Sequence, residues 1–221
     1  MSRTRYNISK TLDWQGKLSE RVVELCRMFG LTVDRLAERS QRHSCTLEVG
    51  PGDIVYLTGA SGAGKSVLLG ELQKCLDPEQ TLNLGDVELP AERAVIDCVG
   101  GDVLSAVRSL CVAGLGGVFE MANSPARLSE GQQWRFRLAV ALASGKRFVI
   151  SDEFCSGLDR ITAGGICQRV HKFARRTGTT FILASCRRDI LLDLEPDVLV
   201  TKPFALPAEV TYKRQGRLGC G

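Results

Sequence analysis

Gly59-Ala60-Ser61-Gly62-Ala63-Gly64-Lys65-Ser66 decides how this chain reads. A glycine, four residues, then glycine, lysine and a hydroxyl residue is the spacing of a loop that wraps phosphate. Gly59, Gly62 and Gly64 let the backbone turn sharply, so successive N–H groups converge as an anion nest. A helix opening near Lys65 adds about half a positive charge at its N-terminus. Lys65 is expected to reach the β- and γ-phosphates of a nucleotide, the Ser66 hydroxyl to ligate Mg²⁺, and Val67 to complete the binding stretch. The apolar run Ile54–Thr58 before the loop and the helical stretch Ser66–Cys75 after it supply the strand–loop–helix context that such a loop requires.

A second string works with the first. Phe148-Val149-Ile150-Ser151-Asp152-Glu153 is an apolar strand that ends in two carboxylates. Where a strand beside a phosphate loop ends this way, the aspartate holds Mg²⁺ and a following carboxylate can polarise water. Asp152 is expected in the first role and Glu153 in the second, as the catalytic base.

Composition narrows the class. With 221 residues, 44% of them hydrophobic and 24% charged, the chain can bury a sizeable core as one domain. A net charge of +4 tolerates an anionic ligand without demanding one. The nine cysteines form no CxxC pair, and His43 and His171 are the only histidines, so a zinc site is not expected. Reduced thiols in a cytoplasmic setting are the expected state, because a chain this long needs no disulfide staples. No apolar run follows MSRTRYNISK, and no stretch reaches the roughly 18 to 20 apolar residues of a membrane span.

Outward from the loop, Leu18, Val22, Leu25, Cys26, Phe29 and Leu36 predict a helix over Gly16–Arg39 packed on the core, with Gly30 interrupting it. Strands are predicted at Cys45–Val49, Ile54–Thr58, Ala94–Val99, Phe148–Ser151, Thr180–Ser185, Asp197–Thr201 and Glu209–Tyr212. Helices are predicted from Asp102 to about Val112, over Glu130–Ala143 and over Ala163–Arg176. The alternation favours an α/β fold, a mostly parallel sheet flanked by helices. The organisation read from this is a single domain over 1–221, an N-terminal helical extension over 1–44 and a short helical subdomain over 100–130.

Between the two phosphate-site strings lies Leu128-Ser129-Glu130-Gly131-Gln132. With this LSEGQ string in that order, and with Ser156-Gly157-Leu158-Asp159 after the acidic strand end, the chain resembles the ATP-binding cassette superfamily of P-loop NTPases from about Cys45 to the last strands. The resemblance implies that ATP and Mg²⁺ are bound and ATP is hydrolysed in a head-to-tail homodimer. Each nucleotide would lie between one subunit's phosphate loop and the other's Ser129 and Gly131 N–H, with Asp159 coupling the two sites.

Against that family's pattern, no glutamine lies between Gln80 and Gln132, where one is usual at the start of the helical subdomain. Asp97 or Asp102 stands there instead, and Asp102 also suits a helix N-cap. Cys186 occupies the place of the histidine that senses the γ-phosphate, so slow hydrolysis in isolation is expected. Arg187 or Arg188 is a stand-in for it or a surface charge. Phe29 and Tyr6 are the candidates for stacking on adenine. Arg135, Arg137, Lys146 and Arg147, or Lys172, Arg175 and Arg176, form basic faces for nucleic acid or ordinary solvated helix charges. The missing glutamine and the short segment after Val99 favour a stand-alone cytoplasmic ATPase acting on an unknown protein or nucleic-acid partner. The alternative is the ATP-binding subunit of a membrane transporter.

Overall fold

The computed structural model describes residues 3–37 and 40–213. Its centre is a six-stranded sheet in the order β4 (Thr81–Asn83), β5 (Phe148–Ser151), β6 (Thr180–Ser185), β3 (Ile54–Thr58), β7 (Val198–Thr201), β8 (Glu209–Tyr212). All neighbours are parallel except β7 and β8. β3 is buried at every position, as a strand covered on both faces must be. Its alternate residues feed two cores: Ile54 and Tyr56 join Phe136, Phe154, Ile166, Phe181 and Leu183 on one face. Val55 and Leu57 join Leu47, Leu68, Leu72, Ile150 and Ile182 on the other.

The expected strands at 54–58, 148–151, 180–185 and 209–212 lie where the sequence puts them, and β7 starts one residue late. The helices α3 (Lys65–Lys74), α5 (Val103–Ala113) and α7 (Glu130–Ala143) follow the predicted ranges closely, and α8 (Arg160–Thr177) opens three residues early. Its start is set by Asp159, whose carboxylate accepts the N–H groups of Ile161 and Thr162 at 3.0 and 2.9 Å. Asp102 caps α5 in the same way, accepting from Ser105 N at 2.8 Å.

The described residues of 1–44 form a strand ribbon with two inserted helices rather than the expected helical extension. β1 (Thr4–Asp13) pairs antiparallel with β2 (Ser40–Val49) along ten residues, from Thr4 with Val49 to Asp13 with Ser40. Only Ile8 of β1 is buried, so its alternation carries too little apolar signal to be read. Two short helices, α1 (Glu20–Met28) and α2 (Val33–Ala37), are inserted between these strands, and Gly30 separates them at a φ of 65°. The predicted helix end at Arg39 lies outside the described residues. Nor does α1 pack on the core: Cys26 is buried, while Leu25 is 53% and Phe29 73% exposed.

Ala94–Val99 is also not a strand. It holds the four-residue helix α4 (Val95–Cys98), whose buried flanks Val95 and Val99 are four residues apart, a helical period. The strand beside β5 is instead β4, three residues long and too polar to announce itself. Between β4 and β5 run α4, α5, α6 (Val118–Ala122) and α7, so helices and turns fill the chain from 84 to 147, and the stretch 100–130 expected to be helical holds α5 and α6. After β6, α9 (Leu191–Leu194) leads to β7. Among the described residues no helix is long and apolar enough to cross a membrane.

Leu110, fully buried in α5, should cost about 2–5 kcal/mol when cut to alanine. Leu25→Glu on the exposed face of α1 should shift stability by no more than about 0.5 kcal/mol. Denaturant midpoints at equal slope check both, and comparable losses would return α1 to the core.

Candidate functional site

The sheet delivers three chain segments to one edge. In the parallel register Thr58 lies opposite Ser185, and Ser151 opposite Leu183, so the loops leaving β3, β5 and β6 emerge together. Ligand sites of open α/β sheets form at these carboxyl ends.

The phosphate loop joins β3 to α3. Gly64 caps α3 in the left-handed region at a φ of 97°, and a Cβ there would lie 2.3 Å from His43 Nδ1. A Cβ on Gly59 would lie 2.2 Å from Lys202 O. Both sites therefore require glycine. The Lys65 ammonium donates to Gly59 O at 3.0 Å and Ala60 O at 2.9 Å, arching over the loop. Ala63 is buried and anchors the turn, while Ser61, Gly62 and Ser66 are accessible. Behind the loop, burial and the nearby Lys202 charge lower the pKa of His43, whose Nδ1 has no hydrogen-bond partner among the described residues.

At the end of β5, Asp152 Oδ1 accepts Glu153 N at 2.9 Å. Glu153 and Cys155 adopt left-handed φ values of 49° and 56°. For non-glycine residues each costs about 1–2 kcal/mol, and such outliers cluster at functional sites. Phe154, fully buried between them, donates its N–H to Ala184 O at 2.8 Å and pins the bend to β6.

These segments enclose a cleft of about 330 Å³ lined by Ser61, Gly62, Gly64, Lys65, Ser66, Val67, Asp152, Glu153, Ser156, Ser185 and Cys186. Loop amides, a lysine, a hydroxyl and two carboxylates thus face one space, a donor set suited to a polyphosphate with a hard divalent cation. Cys186 lines it too, at the position the resemblance gives to the sensing histidine.

Ser129 and Gly131 do not line this cleft. Ser129 caps α7, with its Oγ accepting Gln132 N at 3.4 Å and its N–H donating to Gln132 Oε1 at 3.0 Å. The start of α7 packs instead on the turn after the acidic bend: a Cβ on Gly131 would lie 3.1 Å from Leu158, and one on Gly157 would lie 2.3 Å from Glu130 Oε1. Arg187 is no free surface charge. Its side chain is 15% exposed, and it binds Cys155 O, Leu158 O and the Asp189 carboxylate.

Of the two proposed adenine-stacking residues, Tyr6 is not placed for that role. Tyr6 borders a different cavity with Cys75, Arg147 and Thr180, at the amino-terminal end of the sheet strands, and Phe29 projects from the inserted helices. Trp14, half-buried directly after the last β1–β2 pair, stands at the phosphate-loop end. The weak strand before it hid this aromatic in the sequence. The basic faces are largely engaged locally. Arg135 donates to Gly114 O, Lys146 to Glu79 O and Arg175 to Asp197, while Arg147 and Arg176 stack on Phe148 and Phe173.

No protein-family model matches the chain. It is 29% identical over 227 residues to the methionine import ATP-binding protein MetN of Xanthomonas oryzae pv. oryzae, with 78% of this chain and 65% of that protein aligned. To the aliphatic sulfonates import ATP-binding protein SsuB of Ralstonia nicotianae it is 30% identical, covering 69% of this chain and 61% of that one. The chain thus spans less than two thirds of these two relatives. To the lipoprotein-releasing system ATP-binding protein LolD of Novosphingobium aromaticivorans it is 27% identical, covering 79% of this chain and 92% of the relative. Among solved structures, a dimeric post-hydrolysis state of an ATP-binding cassette bound to ADP and Pi superposes with a TM-score of 0.68 at 18% identity, covering 98% of this chain and 100% of that one. The fold is therefore that of an ATP-binding cassette, and sequence relatives and structural neighbours together support a place for this chain in the ATP-binding cassette family.

Proposed function

We propose that the chain binds Mg-ATP in the cleft between the phosphate loop and the acidic bend and hydrolyses it as the ATP-binding subunit of a membrane transporter. The observation that carries the nucleotide reading is the convergence of Lys65, Ser66, Asp152 and Glu153 on one cleft. The loop amides and Lys65 hold the phosphate oxygens, and Ser66 Oγ with Asp152 holds Mg²⁺. An ion held there would supply charge compensation for the transferring phosphoryl group. Glu153 takes the proton of the attacking water as general base. Trp14 supplies the adenine platform. Ser129 and Gly131, outside their own subunit's cleft, serve the nucleotide of a second copy in a head-to-tail dimer.

The transporter assignment rests on the relatives, which are named for methionine import, sulfonate import and lipoprotein release. A stand-alone ATPase has no such support. One of its two arguments, the short segment after Val99, loses force when the segment is counted from the end of β4. That segment also carries apolar groups outward: Val103 and Val118 are 74% and 76% exposed, and Phe119 is 91% exposed. Leu104 is exposed as well. Beside the edge strand β4 lies a cleft of about 440 Å³ with Leu82, Val87, Pro90, Phe136 and Val140 in its walls. Exposed apolar residues and a cleft with both apolar and polar walls around this segment suit a docked partner helix. The missing glutamine favours the non-membrane reading, but β4 ends in Asn83, a side-chain amide where the helical segment starts.

Lys65→Ala should weaken binding of a fluorescent ATP analogue at least about tenfold, roughly 1.4 kcal/mol. Equal affinity for variant and wild type would sink the assignment. Glu153→Gln keeps the size of the side chain and removes the base, so size-exclusion chromatography should show a dimer with ATP and a monomer without it. A monomer in both conditions defeats the head-to-tail arrangement. Wild-type protein should co-purify from membranes with an integral membrane protein, and Phe119→Asp with Val103→Asp should break that association. A chain recovered free of any membrane partner would restore the stand-alone reading.

A further inference from the structure

The turn between Glu153 and Asp159 is short and strained, and its anchor comes from another strand. Arg187, the second residue after β6, donates from Nη1 to Cys155 O at 2.9 Å and to Leu158 O. Its other two nitrogens grip Asp189, Nε to Oδ1 at 3.1 Å and Nη2 to Oδ2 at 2.6 Å. Asp189 Oδ2 also lies 3.6 Å from Arg160 Nε, on the first residue of α8, and Arg160 pairs with Asp193 at 2.5 Å. From beneath, the buried Tyr56 donates its hydroxyl to Arg187 O at 2.5 Å. The guanidinium plane is thus fixed on one side by a carboxylate and spends its remaining N–H groups on the turn. Only a planar fork with five donors can hold both at once, because a lysine ammonium is a single point of charge.

We propose that Arg187 is a positioning residue for hydrolysis: by holding the carbonyls of Cys155 and Leu158 it fixes the turn that begins at Glu153 and ends at Asp159. This rests on the hydrolytic reading given above. Cys186, the preceding residue, lines the phosphate cleft, whereas Arg187 does not, so one strand end serves the cleft with one residue and the turn with the next. The turn carries Cys155 in the left-handed region, with only Ser156 N to Glu153 O at 3.0 Å and Leu158 N to Cys155 O at 3.2 Å as internal backbone bonds. The guanidinium bond to Leu158 O closes the far end. Its loss frees the turn without touching Lys65, Ser66 or Asp152.

Two measurements on Arg187→Ala and Arg187→Lys test this. In steady-state ATP hydrolysis, Arg187→Ala should lower kcat at least about tenfold while KM stays within about twofold, and Arg187→Lys should fall between it and the wild type. Amide hydrogen exchange without nucleotide should speed up at Ser156 and Leu158 in both variants and stay unchanged over Gly59–Ser66. Unchanged exchange in the turn, an unchanged kcat, or faster exchange that spreads into the phosphate loop would overturn the inference. A wild type that binds ATP but never turns it over defeats the hydrolytic reading alone. The exchange result then decides whether Arg187 holds the turn.

Discussion

Parallel pairing of β5, β6 and β3 is the constraint on which everything else depends. Parallel strands all end at the same sheet edge, so the residues after Thr58, Ser151 and Ser185 become neighbours although they lie far apart in the chain. Such strands also need crossovers, which the chain builds as α3, α8 and the long helical segment before β5. These helices cover both faces, and that is why Val55, Ile150 and Ile182 belong to one core while Tyr56, Val149 and Phe181 belong to the other. The chemistry at the edge is a product of that layering.

What was legible in the sequence is what local backbone demands dictate. Gly59 and Gly64 announce themselves because no other residue fits beside Lys202 O or His43. The strand run ending in Asp152 and Glu153 reads directly as apolar residues followed by charge. The left-handed backbone at Glu153 and Cys155 leaves no mark, since ordinary residues there are held by distant packing such as Phe154 against β6. Arg187 was seen only as a charge near the cleft. Its real partners, Cys155 and Leu158, are joined to it through the sheet. Trp14, proposed above as the adenine platform, follows a strand with one buried residue and therefore no clear period.

The helical segment shows how a misplaced strand distorts a functional argument. Reading Ala94–Val99 as a strand made the segment after it look short. With the strand at Thr81–Asn83, the same residues become a longer layer that buries Ala106, Leu110 and Ala113 inward and turns Val103, Leu104 and Phe119 outward.

The β1–β2 ribbon carries a consequence of another kind. Asp13 and Ser40 are its last pair, so the chain leaves and re-enters the ribbon across a single rung. Closing a loop costs entropy that grows only slowly with its length, so the ribbon's register is nearly indifferent to how many residues hang from that rung. Below it, Lys10 pairs with His43, which packs against the Gly64 turn, and Val49 leads on through a tight turn to β3. The rung is therefore a graft point. An appendage can be lengthened, shortened or exchanged at the phosphate-loop end of the molecule while the sheet stays as it is, and α1 and α2 are one such appendage.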